Sequence, residues 1–396
     1  MTRLVAIDPY LRDWLSLLVR WLHVIAAIGW IGSSFYFVHL DQLLRFPKDV
    51  ADREAGVGGE AWEVHGGGFY HVQKYRVAPH ELPDHLAWFK WEAYATWLSG
   101  FALLVLLYWL DARAYLIDKT VADIGPWTAV GISAGLLIVA WVVYDVLCRL
   151  LAGRELLLGA AILGGSALAA WGTSLLFSPR AAWLQTGAML GTVMAANVLF
   201  SIIPAHWGLV RAKEAGRDPD PAPGLEAKRR SIHNNYLTLP VLVTMLAGHF
   251  SFLTGRHHAW LILLALMVVG AWVRHFYNLR HAGRTHWWML AAAGGAVAVL
   301  AVVLIPSDAT STTQITPAKI AFGRTVFASN CVSCHTLADA GSTGAVGPNL
   351  DTARPSASLV VERVTNGQGG MPPFKGKLTT AEIGAVAAYV STVARR

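Results

Sequence analysis

The residues Cys331-Val332-Ser333-Cys334-His335 carry the most specific chemistry in the chain. Two thiols at this spacing, with a histidine directly after the second, are the attachment signature of a c-type haem. Both sulfurs bond to the haem edge and the imidazole binds iron from one face. The other face needs a ligand, and Met371, within Gly369-Gly370-Met371-Pro372-Pro373-Phe374, offers a thioether. A histidine opposite a methionine suits electron transfer and raises the reduction potential. A zinc or redox reading of the cysteine pair would want a second ligand pair, and the remaining cysteine, Cys148, lies in an apolar segment.

Two helices must position this haem. Gly323 and Phe327 share one side of a helix predicted just before Cys331, and Tyr389 falls in a helical pattern that begins near Thr379. The arrangement resembles the crossed terminal helices of small class I cytochromes c, as does Gly347-Pro348-Asn349-Leu350 in the intervening loop. The expected division is a membrane domain over 1–306, a Ser- and Thr-rich linker over 307–316 and a cytochrome c domain over 317–396. A short tether keeps the cytochrome at high effective concentration beside the membrane domain, as a private electron acceptor would be.

The rest of the chain is of another kind. Its 396 residues are 55% hydrophobic and only 14% charged, with 17 tryptophans, a composition that excludes an ordinary soluble enzyme and points to a polytopic membrane protein. Apolar stretches of about 20 residues, the length of a membrane span, appear near 14–40, 88–110, 126–148, 156–177, 182–209, 236–254, 258–280 and 285–306. The expected fold is therefore an all-α bundle of about eight transmembrane helices followed by the cytochrome. Haem c is attached outside the cytoplasmic membrane, so the cytochrome and, with an even number of crossings, the N-terminus are expected in the periplasm. Cations such as Arg45, Lys48, Arg53, Arg149, Arg154, Lys228 and Arg284 in the predicted inner loops outnumber Arg3, Arg12, Arg113, Lys119, Arg180 and Arg256 in the outer ones. The net charge of +7 is thus mostly a topology signal and gives no reason to expect nucleic acid.

Several intramembrane groups stand out. His23 and His249 fall towards the outer leaflet, His206 and His275 towards the inner one. Histidine pairs at matching depth on different helices can hold b-type haem, which would bridge the roughly 30 Å of hydrocarbon. Each could equally be a hydrogen-bonded structural residue, and His39, His257, His258, His281 and His286 are placed at interfaces. Without b haem, either the substrate pocket opens on the periplasmic side or the cytochrome approaches a site buried well below the outer surface. Asp145 and Arg149, one helical turn apart, are most simply paired with each other. The long loop from Asp41 to Leu86 turns aromatic in Trp62-Glu63-Val64-His65-Gly66-Gly67-Gly68-Phe69-Tyr70-His71-Val72-Gln73-Lys74-Tyr75-Arg76, whose glycines between β-prone runs read as a hairpin turn.

Eight helices, the His65–Arg76 loop, the Trp88-Phe89-Lys90-Trp91-Glu92-Ala93-Tyr94 start of the second helix and a terminal cytochrome together resemble the bacterial membrane-bound urate oxidases, or urate hydroxylases, with a fused cytochrome c. The resemblance implies oxidation of urate to 5-hydroxyisourate, with electrons passed to the haem and on to a respiratory chain, and no peroxide made. Urate is a planar anion, so its site needs cationic or amide donors, aromatic walls and a base. The loop holds these types: Arg76 and Lys74 for the anion, Phe69, Tyr70 and Tyr75 as walls, His65 or His71 as proton acceptor. Alternate residues of a strand face opposite ways, so one pocket lined by both faces would need a twist or bulge. Glu92 is a second candidate base unless it pairs with Lys90. The alternatives are a solvated hairpin on a non-catalytic cytochrome that takes electrons from quinol or a partner dehydrogenase, or an oxidase of another reduced substrate such as a porphyrinogen.

Overall fold

The computed structural model describes residues 8–256, 258–305 and 315–394. The linker expected over 307–316 lies outside them except for its last two residues, as does His257. Asp8 opens α1 (Pro9–Leu43) by accepting the Leu11 N–H, and Pro9 stands where a missing N–H costs nothing. At 1.5 Å per residue this helix is about 52 Å long, well beyond a hydrocarbon core of about 30 Å. Its overhang carries a hairpin of β1 (Val57–His65) and β2 (Gly68–Tyr75). Tyr36 donates to the Glu63 carboxylate at 2.6 Å, and Asp41 pairs with Lys74 and, at 3.1 Å, with Lys228. The turn places Gly66 and Gly67 at φ +57° and +83°, the doubly left-handed geometry of a tight hairpin that glycine adopts without strain.

Seven more helices complete the membrane domain: α2 (Trp91–Trp109), α3 (Pro126–Leu150), α4 (Glu155–Ser174), α5 (Pro179–Glu214), α6 (Pro221–Met245), α7 (Ala259–His281) and α8 (Trp288–Val303). A helix covers each of the eight predicted stretches, but among the described residues six, α1 to α5 and α7, are long and apolar enough to cross a bilayer. The stretch at 236–254 is the second half of α6, whose first half carries Lys228, Arg229, Arg230, Asn234 and Asn235, followed by a 3-10 turn at Leu246–His249. The stretch at 285–306 yields the 16 residues of α8, about 24 Å.

The bundle is built around α5, in which 56% of the apolar window is buried against 11% in α1. It packs on α2, α3, α4 and α6. A π turn at Val198–Ile202 interrupts it because Pro204 follows, removing an N–H and crowding the Phe200 carbonyl. The outer helices turn Leu17, Leu18, Ile25, Ile28, Val139 and Leu168 outward, where lipid would meet them.

In the cytochrome, α9 (Pro317–Asn330) crosses α11 (Thr380–Val393) as expected, and α10 (Ala357–Asn366) packs on α11. A Cβ at Gly323 would lie 2.1 Å from the Ala385 carbonyl oxygen, so only glycine allows the approach. Phe327 and Tyr389 meet edge to face at 5.8 Å, and the Tyr389 hydroxyl donates to Asp339 at 2.6 Å. Thr379 and Glu382 cap α11 reciprocally.

Candidate functional site

Cys331 ends α9 and His335 follows in a turn, with its Nδ1 donating to the Pro348 carbonyl at 3.0 Å. That bond leaves Nε2 for iron. A Cβ at Gly347 would fall 2.4 Å from the His335 ring, so the Gly347-Pro348 backbone is a close cradle for the imidazole. Burial, with Cys334 beside it, pushes the Cys331 thiol up to about 12. Met371 packs on the apolar core of the domain together with Phe374, Leu378 and Leu350. Two thiols, an oriented imidazole and a thioether in an apolar setting fit a c-type haem.

The Met371 loop is also where the cytochrome meets the membrane domain, at the end where α2 and α6 finish and α5 begins. The Gly369 N–H donates to the Gly248 carbonyl at 2.6 Å and the Gln368 amide to the His249 carbonyl at 3.1 Å. Tyr115 donates to the Gly370 carbonyl at 3.1 Å. Arg180, 4% exposed, reaches the carbonyls of Gly369 at 3.1 Å and Met371 at 3.4 Å and lies over the Tyr115 ring. Its Nε and Nη2 are buried without a partner.

The hairpin residues are distributed over an open ribbon at the other end of α1. Phe69 is 79% exposed, and His65, Tyr70, Lys74 and Arg76 are exposed as well. Phe69, His71 and Gln73 share a face with Trp62, which stacks on His71 at 4.3 Å. His71 donates to Glu60 at 2.8 Å and holds that carboxyl below its usual range. Lys74, on the opposite face, is engaged by Asp41. Tyr75 is half-buried at the base, where Arg76 lies against Gly58. Neither twist nor bulge folds both faces around one pocket. The alternate placement of strand side chains prevents it, and the register irregularity at Val57/Gly59 falls at the base.

Glu92 opens α2 beside Gly29 of α1, and its Oε2 is buried without a partner. It does not pair with Lys90, whose ammonium lies among the rings of Trp88, Trp91 and Trp207. His23 donates from Nδ1 to the Thr96 carbonyl at 3.0 Å and is housed by Gly100 of α2. His275 bonds Tyr236 at 2.7 Å, and His249 is exposed beside the cytochrome. Among the described residues no hydrogen bond or ring contact joins His23 to His249 or His206 to His275.

Asp145 does pair with Arg149, at 2.8 Å, and also with Arg230, at 2.8 Å. A further set escaped the sequence reading because its members are far apart in the chain. Arg274 of α7 is 3% exposed, donates to Asn235 of α6, and lies 3.6 Å from the centre of the Phe35 ring of α1. Asn235 donates to Asn278 at 3.2 Å, and the His39 and His281 rings touch at 4.2 Å. The i, i+4 spacings Phe35/His39 and Arg274/Asn278 were the signal available in the sequence.

Comparison with known proteins assigns both parts. The family described as urate oxidase N-terminal matches residues 9–305, and that described as cytochrome C oxidase, cbb3-type, subunit III matches 318–390. Cytochrome c6 of Synechocystis sp. is 35% identical over 81 residues, 18% of this chain and 64% of that protein, so the chain spans just under two thirds of its length. Cytochrome c6 of Leptolyngbya boryana is 40% identical over 77 residues, 18% of this chain and 91% of that protein. The crystal structure of the c-type cytochrome SorU from Sinorhizobium meliloti is 52% identical, covering 20% of this chain and 94% of that one, with a TM-score of 0.19. The cytochrome relatives imply a c-type haem, and the chain belongs to the urate oxidase N-terminal family, as a multi-helix membrane protein with a cytochrome c domain at its C-terminal end.

Proposed function

We propose that this chain oxidises urate to 5-hydroxyisourate in its membrane domain and delivers the electrons through its own cytochrome to a respiratory chain. Urate and one water give 5-hydroxyisourate, two protons and two electrons, so neither oxygen nor peroxide enters the balance. The c-type haem, when bound, supplies a one-electron acceptor. Cys331 and Cys334 would hold it covalently, and His335 and Met371 would bind its iron. The observation that carries this reading is the seating of the Met371 loop on Tyr115, Arg180 and Gly248, which brings the electron-accepting end of the cytochrome against the urate oxidase domain.

The protein lies in the bacterial cytoplasmic membrane with N-terminus and cytochrome in the periplasm. The hairpin is then cytoplasmic, where Phe69, Tyr70, Lys74, Tyr75 and Arg76 gather a planar anion from solution, with His65, His71 and Glu92 as candidate bases. Anaerobic addition of urate to the oxidised, purified chain, with no quinol or second protein present, tests the reading. The haem spectrum is expected to convert to the reduced form. Reduction by quinol alone would make the chain a conduit instead of an enzyme.

A further inference from the structure

We infer that the urate anion binds inside the bundle between α1, α6 and α7, with Arg274 as its counter-ion. The inference rests on the urate-oxidising reading and assigns that activity a place. Three buried arginines of the membrane domain make the case. Arg230, 4% exposed, is held by Asp145 and Glu226, each at 2.8 Å. Among the described residues Arg180 meets no carboxylate, but its Nη1 donates to two carbonyls of the cytochrome seated on it. Arg274 is as deeply buried, yet among the described residues no carboxylate reaches it. Its hydrogen-bonding partner is the neutral amide of Asn235, and its Nη2 is buried with none. A guanidinium is always charged, and a charge removed from water without an opposite charge is unfavourable. The missing partner is an anion.

The surroundings select its kind. Phe35 presents a ring face on which a flat heterocycle can extend the stack already made by the guanidinium. The Asn235–Asn278 amide pair borders the cation with groups suited to ring N–H and carbonyl edges. His39 and His281 each keep a buried Nδ1 without a partner, two imidazoles able to take a proton as the purine loses electrons. Planar shape, negative charge, amide-like edges and a dissociable proton describe a purine anion better than a phosphate or a fatty acid.

The place is also accessible from one side. His39 is two residues before Asp41, where Lys74 of the hairpin and Lys228 of α6 converge, and His281 ends α7. His39 and His281 are half-buried at this end, so a ring would enter past the two imidazoles.

The test uses the full haem-loaded chain in lipid nanodiscs and urate as the probe, reading KM and kcat of urate-driven haem reduction separately. Arg274→Gln is expected to raise the urate KM at least tenfold with the haem spectrum unchanged, and Arg274→Lys to recover part of the loss. His39→Gln is expected to lower kcat more than it raises the urate KM. A correctly folded Arg274→Gln with KM within twofold of wild type overturns the site. If that variant does not fold, Asn278→Ala and Phe35→Leu decide in its place, and unchanged KM in both overturns it equally. Wild type that leaves urate untouched instead removes the urate-oxidising reading itself.

Discussion

The two ends of the membrane domain treat a buried cation in opposite ways. At the cytochrome end Arg180 is closed in by the Met371 loop, its charge turned on that loop's carbonyls. At the other end Arg274 has an amide and an aromatic face but, among the described residues, no carboxylate, and a solvent-exposed ribbon of aromatic and basic residues stands over the same end. One end has a protein surface seated on its cation, and the other has none among the described residues. About 22 Å of α7 separate its cytochrome-facing start from Arg274. A molecule that takes in an anion at one end and sends out electrons at the other needs this asymmetry.

The contrast can be broken at either end. The largest effect is expected from Met371→Ala, which removes the thioether and lowers the haem potential. Urate-driven haem reduction should fall on the order of 100-fold, about 2.7 kcal/mol, with urate KM unchanged; an unaltered rate would show that another group binds the iron. Arg230→Gln sharpens the comparison from the paired side. It takes one cation from Asp145 and Glu226, which keep Arg149 and Arg229, should cost about 2 kcal/mol in thermal unfolding, and should leave urate KM alone. A KM effect matching that of Arg274→Gln would mean that both arginines act through general stability.

Arg180→Gln is expected to slow urate-driven haem reduction about tenfold, near 1.4 kcal/mol, while ascorbate reduces the haem as before. Equal rates with urate would show that the docking contacts do not matter for electron transfer. The smallest effect concerns the hairpin. The His71 N–H, with the Lys48 N–H, holds the Glu60 carboxyl below its ordinary pKa. A lowered folded-state pKa gives stability that is present above the ordinary glutamate value, about 4.3, and is lost as pH falls through the lowered one. Hydrogen exchange of the hairpin amides should therefore lose the protection owed to Glu60 only in acid below that value. In Glu60→Gln that acid change should be absent.

What could be read from the chain follows from how local the physics is. The haem cysteines and histidine, the Gly66-Gly67 turn and the Gly323/Phe327/Tyr389 crossing depend on short spacing or on one residue type that a geometry demands. Gly323 is legible because no other residue tolerates a backbone at this distance. Helices stand at all eight expected stretches, but α6 is not apolar enough over its whole length to cross a bilayer because it mixes a polar first half with an apolar second half, and a hydropathy reading sees only the latter. Arg274 was hidden for a different reason. Inside an otherwise apolar helix it carries no local sign of whether Asn235, Phe35 or a carboxylate faces it, and that pairing is set only when three helices pack. The hairpin's residue types matched a purine site, but alternation along the strand spreads them over two faces.

Stoichiometry tests the central claim most directly. Limiting urate added without oxygen to the oxidised chain should reduce two haems for each molecule consumed, with 5-hydroxyisourate as product and no hydrogen peroxide. Urate that disappears only with oxygen present, yielding one peroxide per molecule while the haem stays oxidised, would contradict it.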